Sequence, residues 1–299
     1  MKKFNFKKVD AFTKGDSKGN PAGCVYLEAA VGENEMQQLA NELKGFVNEV
    51  VYCLPIDSNG NKIYSLLYYS SECEVEFCGH GTIACMYDLI SNSPEAIDQK
   101  EIIIRTKKGD LTVYNRIASA DAVYITAPMP EHIGTNVKVP EICSNLKIPE
   151  AWIDEKYPVD HINAGLNTLI VPIKNVNDTV SITPEINTLK EFCLANRIDI
   201  VIVFTTDVKD KSNGLHTRVF APKYGYLEDP ATGSGNSAIG YYLMKNKIWG
   251  GSPLSIEQGP SLEMPNIVKL DTIECKDGSK QVLFGGCATA RIEGSYLLY

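Results

Sequence analysis

Reactive side chains concentrate in two short segments, Cys78-Gly79-His80-Gly81-Thr82 and Thr232-Gly233-Ser234-Gly235-Asn236, with Asp229 three residues ahead of Thr232. The first offers a thiol and an imidazole, the second two hydroxyls near a carboxylate. Each segment runs into an apolar, helix-like stretch, so the glycines are expected just before a helix. There the small residues let the backbone approach a ligand, and the first helical N–H groups lack internal partners. Such a helix start is an anion site reinforced by the helix dipole. Two of them facing one groove would stabilise the negative charge that develops when a carbon beside a carboxylate loses its proton. His80, Asp229, Thr232, Ser234 and the glycines Gly79, Gly81, Gly233 and Gly235 are the resulting candidates, with Cys78 beside them as a thiol whose pKa a helix start can lower.

The two segments are copies of one pattern at an offset of 154 residues. Gly79 matches Gly233, Gly81 matches Gly235, Ala84 matches Ala238, Tyr87 matches Tyr241 and Leu89 matches Leu243; upstream, Glu74 matches Glu228. Identities in a single register indicate a duplicated structural unit. The expectation is two lobes, residues 1–127 and 128–285, with 286–299 a C-terminal strand that packs back on the first lobe. The changeover lies near Ala127-Pro128-Met129-Pro130, where two prolines interrupt any helix or central strand.

Apolar periodicity gives strands at Lys8–Phe12, Cys24–Leu27, Val50–Leu54 and Tyr64–Tyr69 in the first lobe, with helices at Glu33–Leu43 and Thr82–Ile90. In the second it gives strands at Leu169–Pro172, Ile198–Phe204 and Thr217–Ala221, with helices at Leu189–Asn196 and Asn236–Lys245.

Other chemistries fit less well. Both segments satisfy Gly-x-Gly-x-x-Ala, the dinucleotide fingerprint, but that motif follows a buried apolar strand. Here the preceding residues are Glu72-Cys73-Glu74-Val75-Glu76 and Tyr226-Leu227-Glu228-Asp229-Pro230, charged or broken by proline. Cys73, Cys78, His80 and Cys85 crowd together without the tight paired spacing of zinc sites, so no metal is expected. His132, His161 and His216 show no catalytic spacing. A net charge of -8 gives no basic field for nucleic acid. No apolar run approaches the ~18 residues of a membrane span, and the start, Met1 to Asp10, has no signal-peptide core. Nine cysteines, an odd number in 299 residues, suit reduced thiols and a cytoplasmic location.

The chain resembles the phenazine-biosynthesis PhzF-like proteins, which share the diaminopimelate epimerase fold. The markers are Val9-Asp10-Ala11-Phe12-Thr13, Gly19-Asn20-Pro21-Ala22, Asn48-Glu49, Cys78-Gly79-His80-Gly81-Thr82, Ala164-Gly165-Leu166, Phe220-Ala221-Pro222, Glu228 to Ser234, Gln258-Gly259 and Gly285-Gly286. The resemblance implies an α+β fold of two pseudo-symmetric lobes, each a barrel-like sheet around a central helix, assembled as a homodimer. It implies a proton-transferring isomerase with no metal or organic cofactor, acting on a small carboxylate-bearing molecule. By it Glu49 becomes the catalytic glutamate, His80 and Asp229 its partners, and Ser234 and Asn20 substrate-binding residues.

This sequence departs from the family at several points. Asn48-Glu49-Val50 stands where Ser-Glu-Thr is frequent, Gly81 where alanine is common after the histidine, and Leu262-Glu263-Met264-Pro265 where an arginine-bearing stretch follows the Gln-Gly pair. Diaminopimelate epimerases use two facing cysteines, and those places hold Cys78 and Thr232 here. A threonine hydroxyl cannot replace a thiol as acid or base near neutral pH, which disfavours two-thiol racemisation. Two alternatives stay open: a single-base dehydratase or racemase using Cys78, and a non-catalytic ligand-binding or interaction protein.

Overall fold

The computed structural model describes residues 1–58 and 61–299. It divides into two compact units, 1–126 with 285–299, and 127–284. Together they make a mixed α+β fold.

The first unit opens with β1 (Lys2–Ala11) and β2 (Asn20–Tyr26), an antiparallel pair. Helix α1 (Glu33–Glu42) then crosses to β3 (Glu49–Ser58), which runs parallel to β2, and β4 (Asn61–Ser70) returns antiparallel. A two-residue strand, β5 (Glu74–Val75), leads into α2 (Gly79–Ser91). Strands β6 (Glu101–Thr106) and β7 (Gly109–Asn115), the short helix α3 (Ile117–Ala120) and β8 (Val123–Thr126) follow, with β6 parallel to β4.

The second unit repeats this plan. After β9 (Glu131–His132) and α4 (Val139–Leu146), β10 (Asp160–Asn163) and β11 (Asn167–Pro172) pair antiparallel. Helices α5 (Val176–Ser181) and α6 (Ile186–Ala195) cross to β12 (Ile200–Thr205), parallel to β11, and β13 (Leu215–Phe220) returns antiparallel. The two-residue β14 (Glu228–Asp229) leads into α7 (Gly233–Lys245). Strand β15 (Leu254–Gln258) runs parallel to β13 and pairs with β16 (Asn266–Glu274), before β17 (Lys280–Gly286). The last strand, β18 (Ala288–Leu298), pairs antiparallel with β1 along its whole length.

In each unit the helix after the two-residue strand lies within the sheet's core. Helix α2 packs against β1, β2, β3, β8 and β18, and α7 against β10, β11 and β16. Both are buried nearly all round, which is why neither shows a polar face. Ile83, Met86 and Ile90 are fully buried, each stabilising the first unit by about 1.5–3 kcal/mol.

Expected boundaries move at both central helices and at one strand. The helices were expected to begin after the glycines, at Thr82 and Asn236, whereas α2 begins at Gly79 and α7 at Gly233. The extended residues Cys78 and Thr232 occupy the N-cap positions, so the glycines lie inside the first helical turn. The strand expected from Ile198 begins at Ile200, because Arg197 is left-handed at φ 55° and Ile198 N–H bonds Cys193 O, closing α6. Among the described residues, no helix is long and apolar enough to cross a membrane.

Candidate active site

Glu49 is the first residue of β3, opposite Ala22 of the parallel strand β2 and Ser70 of β4. Asn20 opens β2, two residues before Ala22, and is buried. The N-terminus of α2 brings Cys78 and His80 to the same end. His80 Nε2 stands 3.4 Å from Glu49 Oε2, and Cys78 Sγ lies 3.4 Å from His80 Nδ1. The three residues therefore form one cluster, their ligand-type atoms all within 4.8 Å of one another. Glu49 Oε2 is buried and makes no hydrogen bond, and its approach to His80 Nε2 is a charge contact. The sulfur is the N-cap group of α2, accepting the Gly81 N–H at 3.4 Å.

Two of the cysteines expected to crowd this motif stand apart from the cluster. Cys73 is exposed, and Cys85 is fully buried on α2, in thiol contact with Cys24 and Cys53.

The second unit gathers Asp229, Thr232, Gly233, Ser234 and Gly235. Thr232 donates its hydroxyl to Asp229 Oδ2 in a short hydrogen bond, so it makes no side-chain cap for α7. Instead Gln258, on β15, organises the turn. Its Oε1 accepts Thr232 N–H at 3.0 Å and Asn236 Nδ2 at 2.7 Å, while its Nε2 donates to Asp229 O at 2.9 Å and Thr232 Oγ1 at 3.2 Å. Ser234 is half-buried and sits beside Gly165, whose φ of 111° turns the backbone of the Ala164-Gly165-Leu166 marker.

The glycines carry a packing constraint that their sequence did not reveal. A Cβ on Gly81 would lie 2.7 Å from Val51 Cγ2, and one on Gly233 would lie 2.3 Å from Phe284 Cε2. A Cβ on Gly235 would meet Ile200 Cδ1 at 3.1 Å. Close passage of helix against strand thus requires glycine at Gly81 and Gly233, whatever ligand the turns meet.

Gln258 and Asn236 were missed as site residues. Gln258 was visible only as half of the Gln-Gly marker, and nothing in an alternating strand sequence says that a glutamine points inward to bridge a helix start. His216 is fully buried, with Nδ1 3.0 Å from Glu257 Oε2 and Nε2 2.9 Å from Gly259 O, a structural position.

A duplicated unit with a buried helix, and a glutamate–histidine–thiol cluster at the start of one such helix, describes an epimerase-like architecture. The phenazine biosynthesis-like protein family, PhzC-PhzF, matches residues 9–294, and the chain belongs to it. A phenazine biosynthesis protein of the PhzF family from Bacillus anthracis superposes with a TM-score of 0.86 at 24% identity, over 100% of both chains. An uncharacterised isomerase of Clostridium acetobutylicum is 24% identical over 100% of this chain and 99% of its own. Antisense-enhancing sequence 1 of Schizosaccharomyces pombe is 27% identical over 98% of this chain and 99% of its own.

Proposed function

We propose that this protein is an isomerase that moves a proton on a small carboxylate-bearing substrate by general acid/base catalysis, with Glu49 as the base. The observation that carries the reading is the unpartnered, buried Glu49 Oε2 facing His80 Nε2 at 3.4 Å. The Glu49 side chain is partly exposed, so a substrate can approach its carboxylate while Oε2 is held beside His80.

In this reading Glu49 takes a proton from a carbon joined through a substrate double bond to the carboxylate, and the electron pair shifts along that double bond towards the carboxylate. The same proton, or one from solvent, returns at another position. His80 shares the charge on Glu49, and the Gly79 and Gly81 backbone with Asn20 meets the substrate. In the second unit the start of α7, with Ser234 and with Asp229 fixed by Thr232, forms a candidate carboxylate site of its own. The isomerase name of the Clostridium relative supports the class of reaction. Homodimeric assembly and work without a metal or organic cofactor belong to the same proposal.

A second reading has one observation behind it: Cys78 Sγ lies 3.4 Å from His80 Nδ1 at the start of α2, the pairing a thiol base with an imidazole partner needs. Cys78 would then be the base of a racemase or dehydratase. Incubation with a panel of amino acids, hydroxy acids and cyclic dihydro-carboxylates, followed by NMR, separates the two. Isomerised product that persists in Cys78→Ser and disappears in Glu49→Gln supports the first reading. The reverse pattern supports the second, and no product from the wild type across the panel counts against both.

A further inference from the structure

We infer that Glu49, Cys78 and His80 also bind a soft divalent cation of the zinc class. The inference rests on the reading of Glu49 as base only for its consequence, that an occupied site is switched off. The binding itself rests on the donors.

One sulfur, one imidazole nitrogen and one carboxylate oxygen form a mixed set of the type that holds zinc with three protein ligands and an open fourth position. Zinc bonds of about 2.0–2.3 Å in a tetrahedron set ligand atoms roughly 3.3–3.7 Å apart. Here Glu49 Oε2 and His80 Nε2 are 3.4 Å apart, Cys78 Sγ and His80 Nε2 are 4.0 Å apart, and all three ligand atoms lie within 4.8 Å of one another, so the sulfur must move inward to complete the tetrahedron.

Two independent features favour it. Glu49 Oε2 has no hydrogen bond that a metal must break. The Gly81 N–H, in the first turn of a 13-residue helix, bonds Cys78 Sγ and so fixes the sulfur beside His80. Thiolate and carboxylate together neutralise a dication, and the sulfur selects zinc-like ions over magnesium or calcium.

The consequence is regulatory. With its carboxylate bound to the cation, Glu49 cannot accept a substrate proton, and the open position would take water or the substrate's own carboxylate. Free zinc therefore inhibits proton transfer, and a chelator restores it.

The test titrates the purified, metal-free protein with cobalt(II) and then zinc. One equivalent of cobalt is expected to bind with a thiolate-to-cobalt charge-transfer band, which zinc removes. Cys78→Ser should lose the band, whereas Cys73→Ser, which deletes an exposed thiol away from the cluster, should keep it. Glu49→Gln should weaken zinc binding by at least roughly tenfold, the lower end of what loss of even an outer-shell partner costs. Far-ultraviolet circular dichroism of the metal-free variants checks that each is folded. No binding, binding without the band, or a band retained in folded Cys78→Ser would overturn the inference. Because no substrate is used, the metal site stands or falls separately from the isomerase reading.

Discussion

Glu49 and Ile200 hold equivalent places in the duplicated units. Each opens the strand that runs parallel to its neighbour, at the Ala22 rung in one unit and the Thr168 rung in the other. By the same pairing Val75 corresponds to Asp229, Cys78 to Thr232 and His80 to Ser234. The duplication has diverged so that one unit keeps a potential base and the other keeps hydroxyls. The glycine pairs were legible in the sequence because they recur in one register ahead of two apolar stretches. Glu49 was not, since a glutamate beside Val50 and Val51 reads as an exposed strand end, and only the resemblance singled it out. Thr232→Val should destabilise the protein by about 1–3 kcal/mol, because a buried acceptor on Asp229 loses its donor. Gly233→Ala should cost about 1–3 kcal/mol through overpacking against Phe284. Denaturant titration measures both.

At the scale of elements, the central helices are set by their N-termini. In α2 a sulfur caps the turn, and in α7 a glutamine from a distant strand does the work, with four hydrogen bonds to Thr232, Asn236 and Asp229. Periodicity found these helices but misplaced their starts, because it registers apolar spacing and not the extended cap residue. Helices α4 and α5 escaped it because, at 8 and 6 residues, they are too short to repeat the helical spacing. Helix α6 is capped by Glu185, whose carboxylate accepts Asn187 N–H and Thr188 N–H and is held at about 2, below its ordinary 4.5. A depressed carboxylate contributes stability that is fully present above 4.5 and is lost as pH falls towards 2. Glu185→Ala should therefore lower stability at neutral pH, with the gap from wild type closing across that acid window. Urea titrations at several pH values would show it, and a gap independent of pH would contradict the assignment.

At the scale of the whole molecule, a net charge of -8 opposes an anionic substrate at long range. Local helix starts must overcome that field, and salt screens the general repulsion more than a partly buried contact. Once a carboxylate substrate is known, its KM should fall as ionic strength rises while kcat stays level. A KM that rises with salt would point to an attractive surface instead. The two-lobe organisation was legible from the single repeat at 154 residues, because a duplicated helix start brings its sheet with it. A C-terminal strand returning to the first lobe was expected, but not that β1 is its partner, since the middle residues of β18 are exposed and do not follow an alternating burial pattern.

The central claim is that Glu49 carries the proton. Solvent deuterium exchange into a bound substrate, followed by NMR in wild type and Glu49→Gln, tests it most directly. The account predicts exchange in the wild type and a loss of about 10²–10⁴-fold in Glu49→Gln, with ligand binding and folding intact. Undiminished exchange in a folded Glu49→Gln variant would contradict it.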